Sequence, residues 1–159
     1  MDLRPGIDLE TPLPRLIANA ADSDPDRIFL EVAGTDTVLT YGQYQAEVLR
    51  WAGAFTALGV GEGAYVATML PNCVESYSCW LGLSWLRAVE VPINPLFVGN
   101  TLAYPINNAR AEILVIAAAF VDRLVPLADS LPHLRMVVVL DPEDPSSSPP
   151  WPSLPWPAL

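Results

Sequence analysis

Short apolar segments alternate with stretches of helical periodicity through the middle of this chain, and no other feature constrains its fold as strongly. The apolar segments lie at 65–70, 89–91, 113–116 and 136–140. Short apolar strands that alternate with helices are typical of a parallel sheet covered on both faces, with right-handed crossover connections. We therefore predict an α/β domain with a mostly parallel sheet and helices on both faces.

The residues in front of this sheet predict a helix and a hairpin. A helix is expected over 12–21, with Thr11 as its cap. Two short strands, 28–33 and 37–39, flank Gly34, which suits the turn of a hairpin.

A long helix is the best marked element of the sequence. Thr40 and Gln43 have the spacing of a capping box, in which each side chain bonds the backbone amide of the other residue. Gly59 is placed to end the helix. Between these positions an apolar stripe follows the helical repeat and consists of Tyr44, Val48, Trp51, Ala52, Phe55 and Leu58.

Three further helices are predicted between the strands. The first opens at Asn72 and runs to about Leu86, the second lies over 99–109, and the third lies over 121–130. Pro105 falls in the middle of the second helix, where proline costs about 3 kcal/mol. We expect that helix either to be broken or to start later.

Size and charge exclude several classes of protein. The chain has 159 residues, enough for one domain with its own core, and its formal net charge is −10. No stretch concentrates basic side chains, so neither nucleic acid nor an anionic membrane is an expected partner. No apolar run approaches the roughly 20 residues of a membrane-spanning helix. The start, MDLRPGIDLE, lacks the features of a signal peptide, and we expect a cytoplasmic protein.

The end of the chain differs in composition from the rest. The last eighteen residues hold seven of the seventeen prolines. Because proline donates no backbone hydrogen bond, we expect the sheet to stop near Leu140, which gives a lobe over 1–140 and a Pro/Ser/Trp-rich tail or linker over 141–159. Trp151 and Trp156 could make this tail a ligand for an aromatic groove, but a plain linker is the preferred interpretation.

Several residues invite a binding role, yet each has a structural explanation. Gly59, Gly61 and Gly63 follow a helix and precede a strand, whereas a dinucleotide loop follows a strand and opens a helix. A turn is therefore preferred to a phosphate site. Asn72 and Asn94 follow buried strands, where α/β sheets bind ligands, but a helix cap and a rigid turn explain them without any ligand and are the preferred interpretation.

The titratable residues form no recognisable catalytic group. His133 is the only histidine and lies in a predicted loop, so a surface role is preferred. Cys73 and Cys79 are six residues apart on a predicted helix, which separates them by about 240° around its axis and favours buried thiols over a metal site. Three acids are single and scattered, namely Glu75, Glu90 and Glu112. These residues alone leave the function open.

Four motifs follow one another in a fixed order along the chain. They are Thr40-Tyr41, Leu58-Gly59-Val60 with Gly63, Leu70-Pro71-Asn72 with Glu75, and Val91-Pro92-Ile93-Asn94-Pro95. In this order and spacing they resemble the amino-terminal part of the AMP-forming acyl-CoA synthetases, which belong to the adenylate-forming enzymes. The resemblance covers roughly 10–140.

One stretch narrows the resemblance further. This stretch is Asn72-Cys73, followed by Cys79-Trp80 and Gly82-Leu83, and it is most similar to the acyl-CoA and crotonobetaine/carnitine-type CoA ligases. The resemblance therefore implies a role in fatty acid metabolism. The chain also departs from the family's usual residues at three places, which are Ala64-Tyr65, Arg87-Ala88 and Pro105.

The resemblance implies a reaction that this chain does not complete. Enzymes of the family join a carboxylate to AMP from ATP, release pyrophosphate and pass the acyl group to CoA. Their phosphate loop, adenine-binding motif, ribose-binding Asp and catalytic lysine match no position here, so no catalytic, cofactor-binding or metal-binding residue is assigned. ATP, magnesium and CoA are implied for the full-length family only. We expect an amino-terminal fragment, by truncation, frameshift or design, that forms the first lobe of the large domain and is inactive alone.

Two other functions are kept as alternatives. The chain could be an interaction module that docks on the missing remainder of a synthetase, because a sheet cut from its second lobe exposes apolar surface. It could also be a free-standing nucleotide-binding or flavin-binding domain of flavodoxin-like form, although the strand ends lack a phosphate-binding loop.

Overall fold

A parallel sheet of five strands forms the centre of the structure, a computed structural model that describes residues 11–140 and 153–156. The helices are α1 (Leu13–Ser23), α2 (Tyr41–Ala57), α3 (Val74–Trp85), α4 (Gly99–Ala109) and α5 (Val121–Leu124). The strands are β1 (Ile28–Glu31), β2 (Val38–Thr40), β3 (Tyr65–Met69), β4 (Val89–Pro92), β5 (Ile113–Ala117), β6 (Met136–Leu140) and β7 (Ser153–Trp156).

The order of the strands shows how the sheet is wound. It is β4-β3-β5-β6-β7, and every neighbouring pair is parallel. The chain leaves β3 for β4 on one side and then returns to place β5 on the other side, so the winding reverses between β3 and β5. The predicted α/β fold is confirmed, and this strand order is that of flavodoxin-like sheets.

Side chains alternate between two cores along β3, β5 and β6. The face under α2 and α3 buries Trp51 and Leu83 against Val66, Val115 and Val138. The opposite face, under α4 and α5, buries Leu102, Ile106 and Leu124 against Leu114 and Val139. The sheet is therefore the shared wall of two apolar layers.

The helices α2 and α3 approach each other closely at Gly82. A Cβ atom at this position would lie 2.7 Å from the Cβ atom of Trp51, closer than real Cβ atoms come, so a larger residue forces the helices apart. The predicted capping box of α2 is confirmed: the amide of Gln43 donates to Thr40 Oγ1 at 3.3 Å, and the amide of Thr40 donates to Gln43 Oε1 at 2.9 Å. Gly59 ends the helical segment with a φ of 82°.

An outer layer of α1 and the antiparallel β1–β2 hairpin packs against α2 and α3. Phe29 stacks on the buried Tyr44 with ring centroids 4.6 Å apart. The hairpin is confirmed, and Gly34 has a positive φ of 81° in its turn. The predicted Thr11 cap of α1 is wrong, because Pro12 is the residue with the extended backbone of a cap and the helix begins at Leu13.

Two of the predicted helices begin or continue differently from expectation. The cap of α3 is Cys73 rather than Asn72, because Ser76 Oγ accepts the Cys73 amide at 3.4 Å and donates to the Cys73 carbonyl at 2.8 Å. The helix α4 is neither broken nor shifted at Pro105. Leu102 and Ile106 on either side are fully buried, and burial of each side chain contributes about 1.5–3 kcal/mol, which offsets the proline cost.

The helix predicted over 121–130 is only one turn of α-helix. The 3-10 segments Ala118–Phe120 and Val125–Ser130 flank α5. Pro126 lacks the amide that would continue the α-helical hydrogen bonds beyond α5.

The prediction that the sheet stops near Leu140 is wrong, because β7 pairs with β6 and places Leu154 beside Val138. In the described sheet β7 is an edge strand, and an edge strand tolerates proline because only one of its sides is hydrogen-bonded to a neighbour. The domain boundary at 140 is otherwise untested and stays a prediction. Trp151 lies outside the described residues, so its role as a groove ligand also stays a prediction.

Candidate functional site

The carboxyl ends of β3 and β5 meet at the point where the winding reverses, and open α/β sheets bind their ligands at such a point. The loop after β3 contains Leu70, Pro71 and Asn72, and Pro71 has no amide to offer an anion. The chain after β5 passes directly into the 3-10 segment Ala118–Phe120. Neither loop has the glycine-rich form whose amides hold phosphate, so this point lacks the usual means of binding a nucleotide.

A cavity of about 210 Å³ lies one strand away, between α3 and the carboxyl ends of β3 and β4. Its lining includes Thr68, Ser76, Tyr77, Trp80, Glu90 and Pro92. Pockets for drug-sized ligands occupy about 300–1,000 Å³. The cavity therefore accepts a small group, not a whole molecule of ATP or CoA.

Glu90 gives this cavity its charge. The Thr68 hydroxyl, which is 4% exposed, donates a hydrogen bond to Glu90 Oε1 at 2.7 Å. Partial burial raises the pKa of the Glu90 carboxyl above its usual range, and the Thr68 hydrogen bond opposes that rise. The register of the strands explains the contact, because Val66 pairs with Glu90 and so sets both Thr68 and Glu90 on the face under α3.

In the sequence Glu90 is a single acid, and its contact with Thr68 could not be predicted. A glutamate inside the apolar run Val89–Val91 is the available signal, since an acid in a short strand needs a polar partner. The partner could not be found without the register between β3 and β4.

The surroundings of the two cysteines disfavour the reactive thiolate form. Complete burial raises the pKa of Cys79 well above its usual value, and the negative charge of Glu90 adds to the rise. Burial also raises the pKa of Cys73, which is half-buried at the start of α3. A thiol with a raised pKa is a poor nucleophile near neutral pH, because the thiolate is the reactive form. The interpretation as buried thiols holds fully for Cys79 and partly for Cys73.

The remaining polar candidates have structural roles or face solvent. Asn94 Oδ1 accepts the amide of Leu96 at 2.9 Å, and the Asn94 carbonyl accepts the amide of Phe97, so the predicted rigid turn is confirmed. Asn72 is exposed beside the cavity, and His133 is exposed in a turn, as expected. Within residues 11–140 and 153–156, no three acids, cysteines or histidines come close enough to hold a metal ion.

A larger cavity of about 580 Å³ lies at the opposite, amino-terminal end of the strands. The predicted glycine turn forms one wall, with Gly59 and Gly63 both at positive φ. Arg110, at the end of α4, and the ion pair between Glu112 and Arg135, with 3.4 Å between Oε2 and Nη1, form the other side.

The charges around this second cavity nearly cancel. The carboxyl ends of α2 and α4 both border it, and a helix carries a partial negative charge at that end. Arg110 and Arg135 add two positive charges, and Glu112 compensates one of them. The positive φ of Gly59 and Gly63 makes the glycine turn a helix stop and tight turn, in agreement with the preferred interpretation of the sequence.

Comparison with known proteins identifies the class. A family model described as AMP-binding enzyme matches residues 17–156, and the chain belongs to this family. None of the helices in the described part of the chain is long and apolar enough to cross a membrane.

Individual relatives are acyl-CoA ligases. The chain is 35% identical over 117 residues to a crotonobetaine/carnitine–CoA ligase of Proteus mirabilis, a match that covers 74% of this chain and 22% of the ligase. It is 26% identical to a Mycobacterium tuberculosis fatty acyl CoA synthetase, with a TM-score of 0.73 over 79% of this chain and 26% of the other. An anthranilate CoA ligase in complex with anthranoyl-AMP has the same fold, with a TM-score of 0.75 at 22% identity over 84% of this chain and 25% of that one. The chain thus spans about a fifth of the length of the curated relatives it matches.

Proposed function

We propose that the chain forms the amino-terminal lobe of an ATP-dependent, AMP-forming acyl-CoA synthetase and does not activate a carboxylate by itself. The family match over residues 17–156 carries this proposal. The lobe supplies a rigid sheet whose carboxyl end forms one wall of a cleft. The rest of the cleft, with the groups that bind ATP, magnesium and CoA, belongs to the remainder of the enzyme.

The inactivity of the lobe follows from charge. Transfer of an adenylyl group needs donors and cations already placed around the phosphates. The 159-residue chain contains no lysine, and the small cavity at the carboxyl ends of β3 and β4 offers the carboxyl of Glu90 in place of a cation. Neither loop at the reversal of the sheet provides a cradle of amides.

Carboxylate-dependent ATP–pyrophosphate exchange tests the proposal. The isolated chain is assayed with carnitine, crotonobetaine, medium-chain and long-chain fatty acids and anthranilate, and the Proteus mirabilis ligase is the positive control. We expect no exchange above a reaction without protein for any acid. Exchange that depends on a carboxylate and rises with the concentration of the chain would overturn the inactivity of the lobe.

The acid itself is not defined by the relatives, because they act on acids of different shape. The names of the matched proteins include a quaternary ammonium acid, a fatty acid and an aromatic acid. A role in fatty acid metabolism and a cytoplasmic location accordingly stay part of the proposal.

A second candidate is an interaction module that docks on the remainder of a synthetase. Large apolar side chains are exposed just before α4 and on it, with Leu96 80% exposed, Val98 57% and Tyr104 70%. Contiguous exposed apolar surface marks an interface. Pull-down of a Proteus mirabilis ligase that lacks the matched segment tests this, and failure to retain it at micromolar concentration counts against docking.

A flavodoxin-like nucleotide domain is the third candidate, because the strand order is that of flavodoxin-like sheets. The loops after β3 and β5 disfavour it, because they lack a phosphate-binding form. Titration of the chain with FMN and NAD tests whether the chain binds a nucleotide. A saturable signal with either ligand would favour the third candidate over the lobe.

A further inference from the structure

The proposed function assigns no ligand to the carboxyl of Glu90. Glu90 lies on β4, one of the two edge strands of the described sheet, and is partly buried against α3. Among residues 11–140 no arginine or histidine pairs with it; the ion pairs of that region join Glu47 to Arg50, Glu62 to Arg87 and Glu112 to Arg135. A partly buried carboxylate without a cation is unfavourable, because burial removes water without replacing its charge stabilisation.

The hydrogen bonds of Glu90 are also incomplete. An ionised carboxylate has about four acceptor positions on its two oxygens. The Thr68 hydroxyl occupies one of them on Oε1, and Oε2 has no donor within the described residues. The raised pKa agrees with a partly buried carboxylate whose burial the Thr68 hydrogen bond offsets only in part. A further N–H donor therefore fits at Oε2.

The walls of the cavity favour a positive donor. Tyr77 and Trp80 of α3 line it, and they are 48% and 40% exposed, so a ligand can reach them from solvent. Aromatic side chains attract cations through their negative faces, and guanidinium groups also stack on them. The amino-terminal end of α3 opposes a cation, but a helix end carries about half an elementary charge against the full charge of the carboxylate.

The volume limits what can bind. About 210 Å³ accommodates a head group of a few heavy atoms and does not enclose a whole nucleotide or acyl chain. We propose that the cavity between α3 and the carboxyl ends of β3 and β4 binds a guanidinium or primary ammonium group, which donates to the carboxylate of Glu90 beside Tyr77 and Trp80. This site goes beyond the proposed function and does not depend on it.

Two sources could supply the cation, a free small molecule or an arginine or lysine side chain of a polypeptide. The chemistry at the carboxylate is the same for both. The experiment therefore uses methylguanidinium and n-butylammonium as free cations, and the tripeptide acetyl-Gly-Arg-Gly-amide as a side chain carried on a backbone. Tetramethylammonium is the matched probe that has the charge without any N–H.

Binding is followed on the intact 159-residue chain by two-dimensional amide NMR, with the Trp80 indole and the Thr68 amide as reporters. We expect saturable shifts at both with methylguanidinium and n-butylammonium, and an apparent Kd at least about tenfold weaker for tetramethylammonium. Shifts with the tripeptide as well assign the site to a protein side chain, whereas shifts with the free cations alone assign it to a small ligand.

Three variants locate the site. Glu90→Gln keeps the shape of the side chain and should weaken the apparent Kd by about tenfold, because a charge-assisted hydrogen bond becomes a neutral one. Glu31→Gln removes the same charge from an exposed position outside the cavity and should leave the Kd within about twofold. Trp80→Ala changes a side chain that is 40% exposed and belongs to none of the core clusters, so we expect the fold to be kept and binding to weaken about threefold.

Three results would overturn the site. They are the absence of saturable shifts for every N–H probe, equal binding of tetramethylammonium, and a Glu90→Gln chain that folds and binds like the wild type. If Glu90→Gln does not give a folded spectrum, Trp80→Ala decides, and unchanged binding there contradicts the proposal.

Discussion

The two faces of the sheet are built differently. The face under α2 and α3 has two long helices with defined caps, a close contact at Gly82 and the polar pair Thr68–Glu90. The face under α4 and α5 has a helix with an internal proline and a single helical turn between 3-10 segments. The first face is ordered by local signals and shape, whereas the second is held by apolar burial with a few polar links, such as that from Asn107 Nδ2 to the Ser130 carbonyl at 2.7 Å.

This difference indicates which substitutions should change the free energy of unfolding most. A face with fitted helices tolerates neither the loss nor the addition of volume. A face whose helix already contains an unfavourable residue has stability to regain when that residue is replaced. The predictions below run from the largest expected effect to the smallest.

Trp51→Ala should cause the largest loss of stability. Trp51 is fully buried between α2, α3 and the sheet, and its removal leaves a large cavity on the first face. We expect the free energy of unfolding to fall by about 3–5 kcal/mol in urea titrations followed by circular dichroism. Phe120→Ala, at a half-buried position on the second face, should cost clearly less. Equal losses would contradict the contrast between the faces.

Pro105→Ala should stabilise the chain. Alanine restores the missing amide in α4 and is favoured over proline by about 3 kcal/mol in a helix. The unfolded chain has more conformational entropy without the proline, which lowers the gain in stability by about 1 kcal/mol. The net gain in the free energy of unfolding is therefore about 2 kcal/mol. A measured loss of stability would show that the second face is shaped around Pro105.

Gly82→Ala should destabilise, although alanine is the better helix former. The added Cβ would lie 2.7 Å from the Trp51 Cβ and 3.1 Å from the Ala52 amide nitrogen, so α2 and α3 must separate. The net cost is at most about 2 kcal/mol, because overpacking costs about 1–3 kcal/mol and the helix preference of alanine returns about 1 kcal/mol.

Gly53→Ala is the matched control for this change. A Cβ at Gly53 has no neighbour within 4 Å, although the residue lies in α2 beside the same contact. Here the helix preference acts alone and should raise the free energy of unfolding by at most about 1 kcal/mol. If both variants shift stability in the same direction, the close contact does not determine the packing of the two helices.

The smallest effect concerns pH and the pair Thr68–Glu90. Because the folded chain raises the pKa of Glu90 above its ordinary value of 4.5, the unfolded chain binds fewer protons between these two values. Folding is therefore penalised by the ionised carboxylate at neutral pH, and the penalty fades as the pH falls through the raised pKa toward 4.5. Glu90→Gln lacks this dependence.

Urea titrations of both chains at pH 7 and pH 5 measure the effect. The stability of the wild type relative to Glu90→Gln should rise on acidification, with Glu31→Gln as the control for overall charge. A relative stability of the wild type that falls on acidification would mean that the pKa of Glu90 is lowered in the fold.

Prediction from the sequence succeeded where a signal is local. The Thr40–Gln43 box, the Gly59 stop and the turn at Asn94 depend on residues a few positions apart, and all were found in the structure. The alternation of apolar segments and helices also predicted the parallel sheet, because buried strands are apolar runs that can be recognised in the sequence.

Prediction failed where distant residues decide. The helix α4 continues past Pro105 because Leu102 and Ile106 are buried in the core. A strand forms in the proline-rich residues because it lies at the edge of the sheet. The contact between Thr68 and Glu90 joins residues 22 positions apart and depends on register, which no local pattern contains. The cap at Cys73 was missed because asparagine is a preferred cap residue and cysteine is not, so Asn72 was chosen. The hydrogen bond between the Cys73 amide and Ser76 Oγ is not evident from the sequence.

The central proposal is that this lobe is part of an adenylate-forming enzyme and does not hold the nucleotide alone. Titration of the 159-residue chain with ATP and magnesium, by calorimetry and amide NMR together, tests it most directly. The account predicts no heat of binding and no saturable shift in the residues after β3 and β5 at ATP concentrations up to the millimolar range. Saturable binding with shifts at Asn72 and Ala118 would contradict it.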